Sequence, residues 1–154
     1  MNIADILWPE AVKSISTLSS KKRLFQEISE LAADQYGLPA SDILDALQER
    51  ESLGPTGVGR GVALPHARLN DLDRMVAIFV RLDKAVNFDA ADRQPVDLFF
   101  CLLAPAEAGV DHLKALAMVS RTMRNKDVCA KLRANDRPAA LHAILTEAQA
   151  SKAA

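Results

Sequence analysis

The sequence predicts an α/β fold: one domain built as a helix–sheet–helix sandwich around a mixed central sheet. Two observations carry this expectation. The run VDLFFCLLA, Val96 to Ala104, is almost wholly apolar, as befits a strand covered on both faces. Around it, before and after, apolar residues recur at helical spacing, so helices are available to cover both faces of one sheet.

The elements follow in order. A short helix is expected around Ile3 to Leu7, stopping at Trp8-Pro9 because a residue before proline avoids the helical region. Ser20 is positioned as an N-cap, and Leu24, Ile28 and Leu31 repeat along one face, widened by Phe25, Ala32 and Tyr36. Gly37 supplies a C-terminal stop. Ser41 reads as the cap of a next helix through Ile43, Leu44 and Leu47 to about Ser52. Gly54 to Gly61 contains Pro55 and four glycines and reads as a loop, left in extended form by Val62 to Pro65. Met75 to Leu82 and Val96 to Leu103 read as strands. Three helices are expected after them: Asp111 to Arg124, Lys126 to Arg133 and Pro138 to about Gln149, with Pro138 suited to a first turn. Strand order is not readable from these patterns.

The 154 residues show no linker or repeat that would divide them, so one domain spanning 1–154 is expected, its core at about 3–147. Ala148 to Ala154 is small and polar and is expected to fray. Apolar residues make up 49% of the chain, enough for a core, and the formal net charge of −1 gives no general reason to expect nucleic acid or an anionic membrane as partner. MNIADILWPE lacks the basic-then-apolar order of a secretory signal, and no apolar run is long enough to span a bilayer. Cys101 and Cys129 form no CxxC pair, which fits a reducing, cytoplasmic setting.

The chemistry concentrates between Arg50 and His66. His66 follows Pro65 at the end of the extended segment, downstream of the alternating glycines Gly57, Gly59 and Gly61. Exposed N–H groups of such a loop can form an anion-binding concavity, with Thr56 a further hydroxyl candidate, and neutral imidazole is a competent nucleophile at physiological pH. No GxxxxGK[ST] motif is present, and the glycines do not read GxGxxG. A zinc hydrolase using His66, His112 and Asp111 is disfavoured by the absence of HExxH or short-spaced ligand pairs. His142, Cys101 and Cys129 read as ordinary packing residues; Asp89, Asp92 and Asp97 read as turn and packing residues; and Glu51 reads as a solvated helix end.

The run RESLGPTGVGRGVALPHA, Arg50 to Ala67, resembles the active-site signature of the enzyme IIA family of the bacterial phosphotransferase system, mannitol/fructose type. The likeness extends to the Ser20-Lys21-Lys22 helix start, Phe88-Asp89-Ala90, Asp92, Gln94 to Asp97, Pro105, His112-Leu113 and Leu116-Ala117. RESLG-x-TG in a chain of this single domain is most similar to the nitrogen-regulatory subgroup. Pro55, Arg60 and Leu64 depart from the pattern without removing a reactive group; Arg60 adds charge near the site.

The resemblance implies that His66 accepts a phosphoryl group on Nε2, with His112 beside it and Arg50 as cationic partner. An arginine fork suits phosphate, and a first-turn position for His112, with Asp111 as the cap, would favour an anion there. The implied partners are an HPr-like phosphocarrier and regulatory targets such as potassium-transport or sensor-kinase components. No cofactor or metal is implied. The alternative is a metabolic enzyme IIA that hands phosphoryl to a sugar-specific IIB protein. A shallow surface of Val58, Val62 and Leu64 is expected beside His66.

Overall fold

In the computed structural model, residues 1–153 are described, with side chains described through Ala148. The tail expected to fray from Ala148, after a helix ending at about Gln149, instead continues the last helix to Ala153; Ala154 lies outside the described residues. The order is α1 (Ile3–Ile6), a 3-10 turn (Pro9–Ala11), β1 (Val12–Ile15), α2 (Lys21–Tyr36), α3 (Ala40–Ser52), β2 (Gly57–Gly59), β3 (Val62–Ala63), β4 (His66–Leu69), β5 (Val76–Val86), β6 (Val96–Pro105), α4 (Val110–Met123), α5 (Lys126–Arg133) and α6 (Pro138–Ala153).

The sheet is mixed, in the order β1-β5-β6-β3-β2, with β4 also on β6. β5 and β6 pair antiparallel at its centre. On the other edge of β6, β3 and β4 follow one another in parallel, Val62 opposite Leu98 and His66 opposite Leu102. Pro65 lies between them and has no N–H to give, but its carbonyl accepts from Leu102 N–H at 2.9 Å. The two short strands thus follow a single track along β6, and that track delivers His66.

Side chains alternate between the two faces with the period of a strand. Phe79, Leu98, Phe100 and Leu102 pack with α1, α4, α5 and α6. Ile78, Val80, Phe99, Cys101 and Leu103 pack with α2 and α3. Both faces of β6 are dry, which accounts for its unbroken apolar run. Buried Arg81 on β5 ties α5 to the sheet: its Nε–H donates to Leu132 O at 3.0 Å and an Nη2–H to Arg133 O at 2.6 Å. These are terminal carbonyls of α5, which have no partner within the helix.

Several local expectations change. Ser20 does cap α2, accepting from Arg23 N–H at 3.1 Å, and Gly37 closes it at φ 69°. The cap of α3 is Pro39, not Ser41, which lies inside the first turn; Pro39 holds extended backbone and its carbonyl accepts from Ile43 N–H. The glycine segment is not all loop: Gly57–Gly59 pairs antiparallel with β3. β1 was not anticipated, and His66 begins a strand rather than ending one. Gly109, at φ 56°, precedes α4 in place of Asp111 as cap.

Candidate active site

Leu64-Pro65-His66 sets the imidazole. Leu64 N–H donates to Thr56 O at 2.9 Å, joining the segment to the β2 arm. The Leu64 carbonyl lies 2.9 Å from His66 Nδ1. A carbonyl can only accept, so Nδ1 carries the proton and Nε2 keeps its lone pair. Arg50, in the last turn of α3, donates Nε–H to that Nε2 at 3.2 Å. Its Nη1 donates to Gly54 O at 3.0 Å, just past the helix end, which aims the fork.

His112 stands in the first turn of α4, 4% exposed. Its ring lies edge-on to that of His66, centroids 5.6 Å apart and planes at 74°. Its Nδ1 is buried without a hydrogen-bond partner among the described residues, a condition that is costly in a folded interior. Both imidazoles are held below the ordinary histidine value of 6.5. For His66 the main cause is burial, reinforced by the Arg50 cation and opposed by the Leu64 carbonyl and Glu51. For His112 it is burial, then His66 and Arg68.

A recess of about 570 Å³ opens here, with Arg50, His66, Arg68 and His112 in its wall. Leu53 and Leu113 line it and stand exposed, Leu53 at 81%; Val58 is exposed in the adjoining recess, and Val110 is exposed at the start of α4, two residues before His112. This apolar ring differs from the surface expected of Val58, Val62 and Leu64: Val62 and Leu64 are buried, and only Val58 faces out. Arg68 was not singled out in the sequence. Its signal was available, since two residues beyond His66 in a strand is the same face.

The remaining candidates hold the scaffold. Thr56 is buried; its hydroxyl donates to Glu51 Oε2 at 2.5 Å and its N–H to Glu51 Oε1 at 3.0 Å. That hydroxyl is committed away from the imidazole. Glu51 is no solvated helix end: its side chain is 7% exposed and pairs with Lys21 Nζ at 2.9 Å. Gly57 lies where a Cβ would stand 2.6 Å from that of Ala90, and Gly61 where one would meet Arg133 Nη2 at 2.6 Å. With Gly59, at φ 102°, they serve close packing and the hairpin, and none of the three lines the recesses at His66. Asp92 accepts from the N–H groups of Arg60 and Gln94, and Asp97 forms a pair with Arg133 at 2.9 Å. His142 bonds Leu7 O at 2.9 Å, far from this site in the fold. Among the described residues no three His, Cys, Asp or Glu side chains gather as a metal-binding cluster, and no helix is long and apolar enough to cross a membrane.

The family model described as the phosphoenolpyruvate-dependent sugar phosphotransferase system EIIA 2 matches residues 5–148. A nitrogen regulatory protein of Bradyrhizobium diazoefficiens is 43% identical over 145 residues, 94% of this chain and 95% of the relative. One of Escherichia coli is 40% identical over 150 residues, 97% of this chain and 92% of the relative. The crystal structure of the nitrogen regulatory protein IIA-Ntr from Neisseria meningitidis superposes with a TM-score of 0.87 at 35% identity, covering 94% of this chain and 99% of that one. The chain belongs to the EIIA 2 family of the phosphotransferase system, and the Bradyrhizobium diazoefficiens and Escherichia coli relatives both carry the nitrogen-regulatory name.

Proposed function

We propose that His66 accepts a phosphoryl group on Nε2 from an HPr-like phosphocarrier, and that the phosphorylation state then regulates target proteins in the cytoplasm. The observation that carries this reading is the hydrogen bond between His66 Nδ1 and Leu64 O at 2.9 Å. It leaves the Nε2 lone pair facing the recess, as a nucleophile requires.

In the step, that lone pair forms a P–N bond as the bond from phosphorus to the donor's nitrogen breaks; the electron pair of the broken bond returns to the donor. Arg50 Nε–H, now on Nε2, moves to the phosphoryl oxygens. His112 lies close enough to supply an N–H to the same oxygens. Positioned donors of this kind are the main contribution a protein makes to phosphoryl transfer. The exposed ring of Leu53, Val58, Val110 and Leu113 gives a carrier an apolar surface to dock on. Phosphoryl at its centre adds nearly two negative charges, which suits a docking event that depends on phosphorylation state.

The regulatory reading draws on the nitrogen-regulatory names of the relatives; targets such as potassium-transport or sensor-kinase components are what the family resemblance implies. Its test is a chase. Protein loaded with labelled phosphoryl by an HPr-like carrier is mixed with sugar-specific IIB proteins, and the same preparation is used to capture targets. Slow transfer to IIB and phosphorylation-dependent capture are expected, with no loading of His66→Ala. Rapid transfer to a IIB without state-dependent capture overturns the regulatory reading. A His66→Ala protein that still accepts the label overturns the site.

A further inference from the structure

A second cavity, of about 380 Å³, shares Val58 and Ser120 with a smaller one of about 340 Å³ that opens at Arg50 and His66. Its lower wall is apolar: Val62, Met123 and Cys129 are all buried. Its rim is cationic, with Arg60, Arg124, Lys126 and Arg133. Arg133 is already spent on Asp97 and on the Arg60 carbonyl. Arg60, Arg124 and Lys126 are exposed, and none has a carboxylate partner among the described residues. Asp97 holds Arg133, and Asp92 takes the backbone N–H groups of Arg60 and Gln94. The start of α5 is closed by Asn125, which accepts from Asp127 and Val128, so the positive field comes from side chains.

Arg60 adds an independent point. It sits at φ 59° between two glycines, in left-handed backbone that Gly or Asn adopts more readily. Its N–H and its carbonyl are both gripped from other elements, by Asp92 and Arg133. A long cation is thereby held at the mouth of the cavity where a small residue would fit the backbone better; such outliers point to function.

We propose that this cavity binds a nucleotide-sized phosphorylated metabolite. Its phosphates meet Arg60, Arg124 and Lys126, and its uncharged body lies against Val62, Met123 and Cys129. The volume falls within the range of small-molecule sites, roughly 300–1,000 Å³. An acidic protein segment would satisfy the rim alone and leave the apolar wall unfilled, so the small ligand is favoured. Because Val58 and Ser120 border both cavities, the occupant would abut whatever docks over His66. Binding itself does not depend on His66 carrying phosphoryl.

The test uses the full chain, with ADP and inorganic pyrophosphate as probes, followed by calorimetry and by amide chemical shifts. ADP is expected to bind and to move the amides of Val62, Met123 and Cys129. Arg60→Asn with Arg124→Gln and Lys126→Gln should weaken it about tenfold or more, while His66→Ala leaves it unchanged. If the triple variant is not folded by circular dichroism, Lys126→Glu alone at its exposed position carries the same expectation of weaker binding. Four results overturn the proposal: no ADP binding at millimolar concentration, undiminished binding in the folded charge variants, loss of binding in His66→Ala, or pyrophosphate bound as tightly as ADP.

Discussion

At Nε2 of His66 the lone pair already has a neighbour, the Nε–H of Arg50 at 3.2 Å. Burial is the main cause that favours the neutral ring, the Arg50 cation adds to it, and the contact marks where phosphoryl oxygens would find a cation. If Arg50 and His112 both contact the moving group, Arg50→Ala and His112→Ala should each slow single-turnover loading by about 2–4 kcal/mol of barrier. Rapid-quench measurement reads this directly, and unchanged rates in both variants would sink the geometry. The proton balance gives a second expectation. His66 in the fold lies below 6.5, so folding favours its neutral form. The stability tied to that form is fully present above 6.5 and is lost as pH falls through the folded value. Loading should accordingly stay level from neutral pH down past 6.5, where an ordinary histidine would already be protonating. An imidazole NMR titration checks it, and in Arg50→Ala the midpoint should rise, because Arg50 is one of the groups holding it down. A midpoint at or above 6.5 in the wild type contradicts the picture. His66, Arg50 and His112 were legible as a set through the family resemblance. The buried role of Glu51 was not, since a glutamate at a helix end is usually solvated and only the fold brings Lys21 against it.

Among the elements, the long ones were legible, and of the short ones only α1 and the extended stretch that holds β3. α2 and β6 carry their periods over enough residues to declare themselves; β1, β2 and β4 span four, three and four residues, too few for a pattern. The glycine segment was ambiguous for a physical reason. Alternating glycines suit an anion-binding loop and equally a tight hairpin pressed against a neighbour, and here Gly57 is pressed against Ala90. Gly57→Ala should therefore destabilise the fold by overpacking, about 1–3 kcal/mol, read by thermal or denaturant unfolding. The backbone at Ala90 stands only 2.9 Å from the added Cβ, so something must move. A variant as stable as the wild type would show that β2 and the Ala90 turn are not held together as described.

For the whole molecule, the sheet explains why His66 and His112, 46 residues apart in sequence, converge. β6 receives β3 and β4 along one edge, which carries His66 to the same end as α3 and the start of α4. This pairing is non-local, and no local pattern announces it; only the two-sided covering of β6 was readable in advance. The same end of the sandwich bears the exposed Leu53, Val110 and Leu113, so in the proposed function Nε2 of His66 sits within the surface a partner would cover. Phosphoryl transfer between proteins needs that combination of a neutral, oriented nitrogen and an apolar approach. The most direct test is nitrogen-15 and phosphorus NMR of the chain with labelled histidine, after loading by an HPr-like carrier. The account predicts a single adduct on His66 Nε2, with Nδ1 still protonated toward Leu64. Phosphorus on Nδ1 of His66, or on His112, would contradict it.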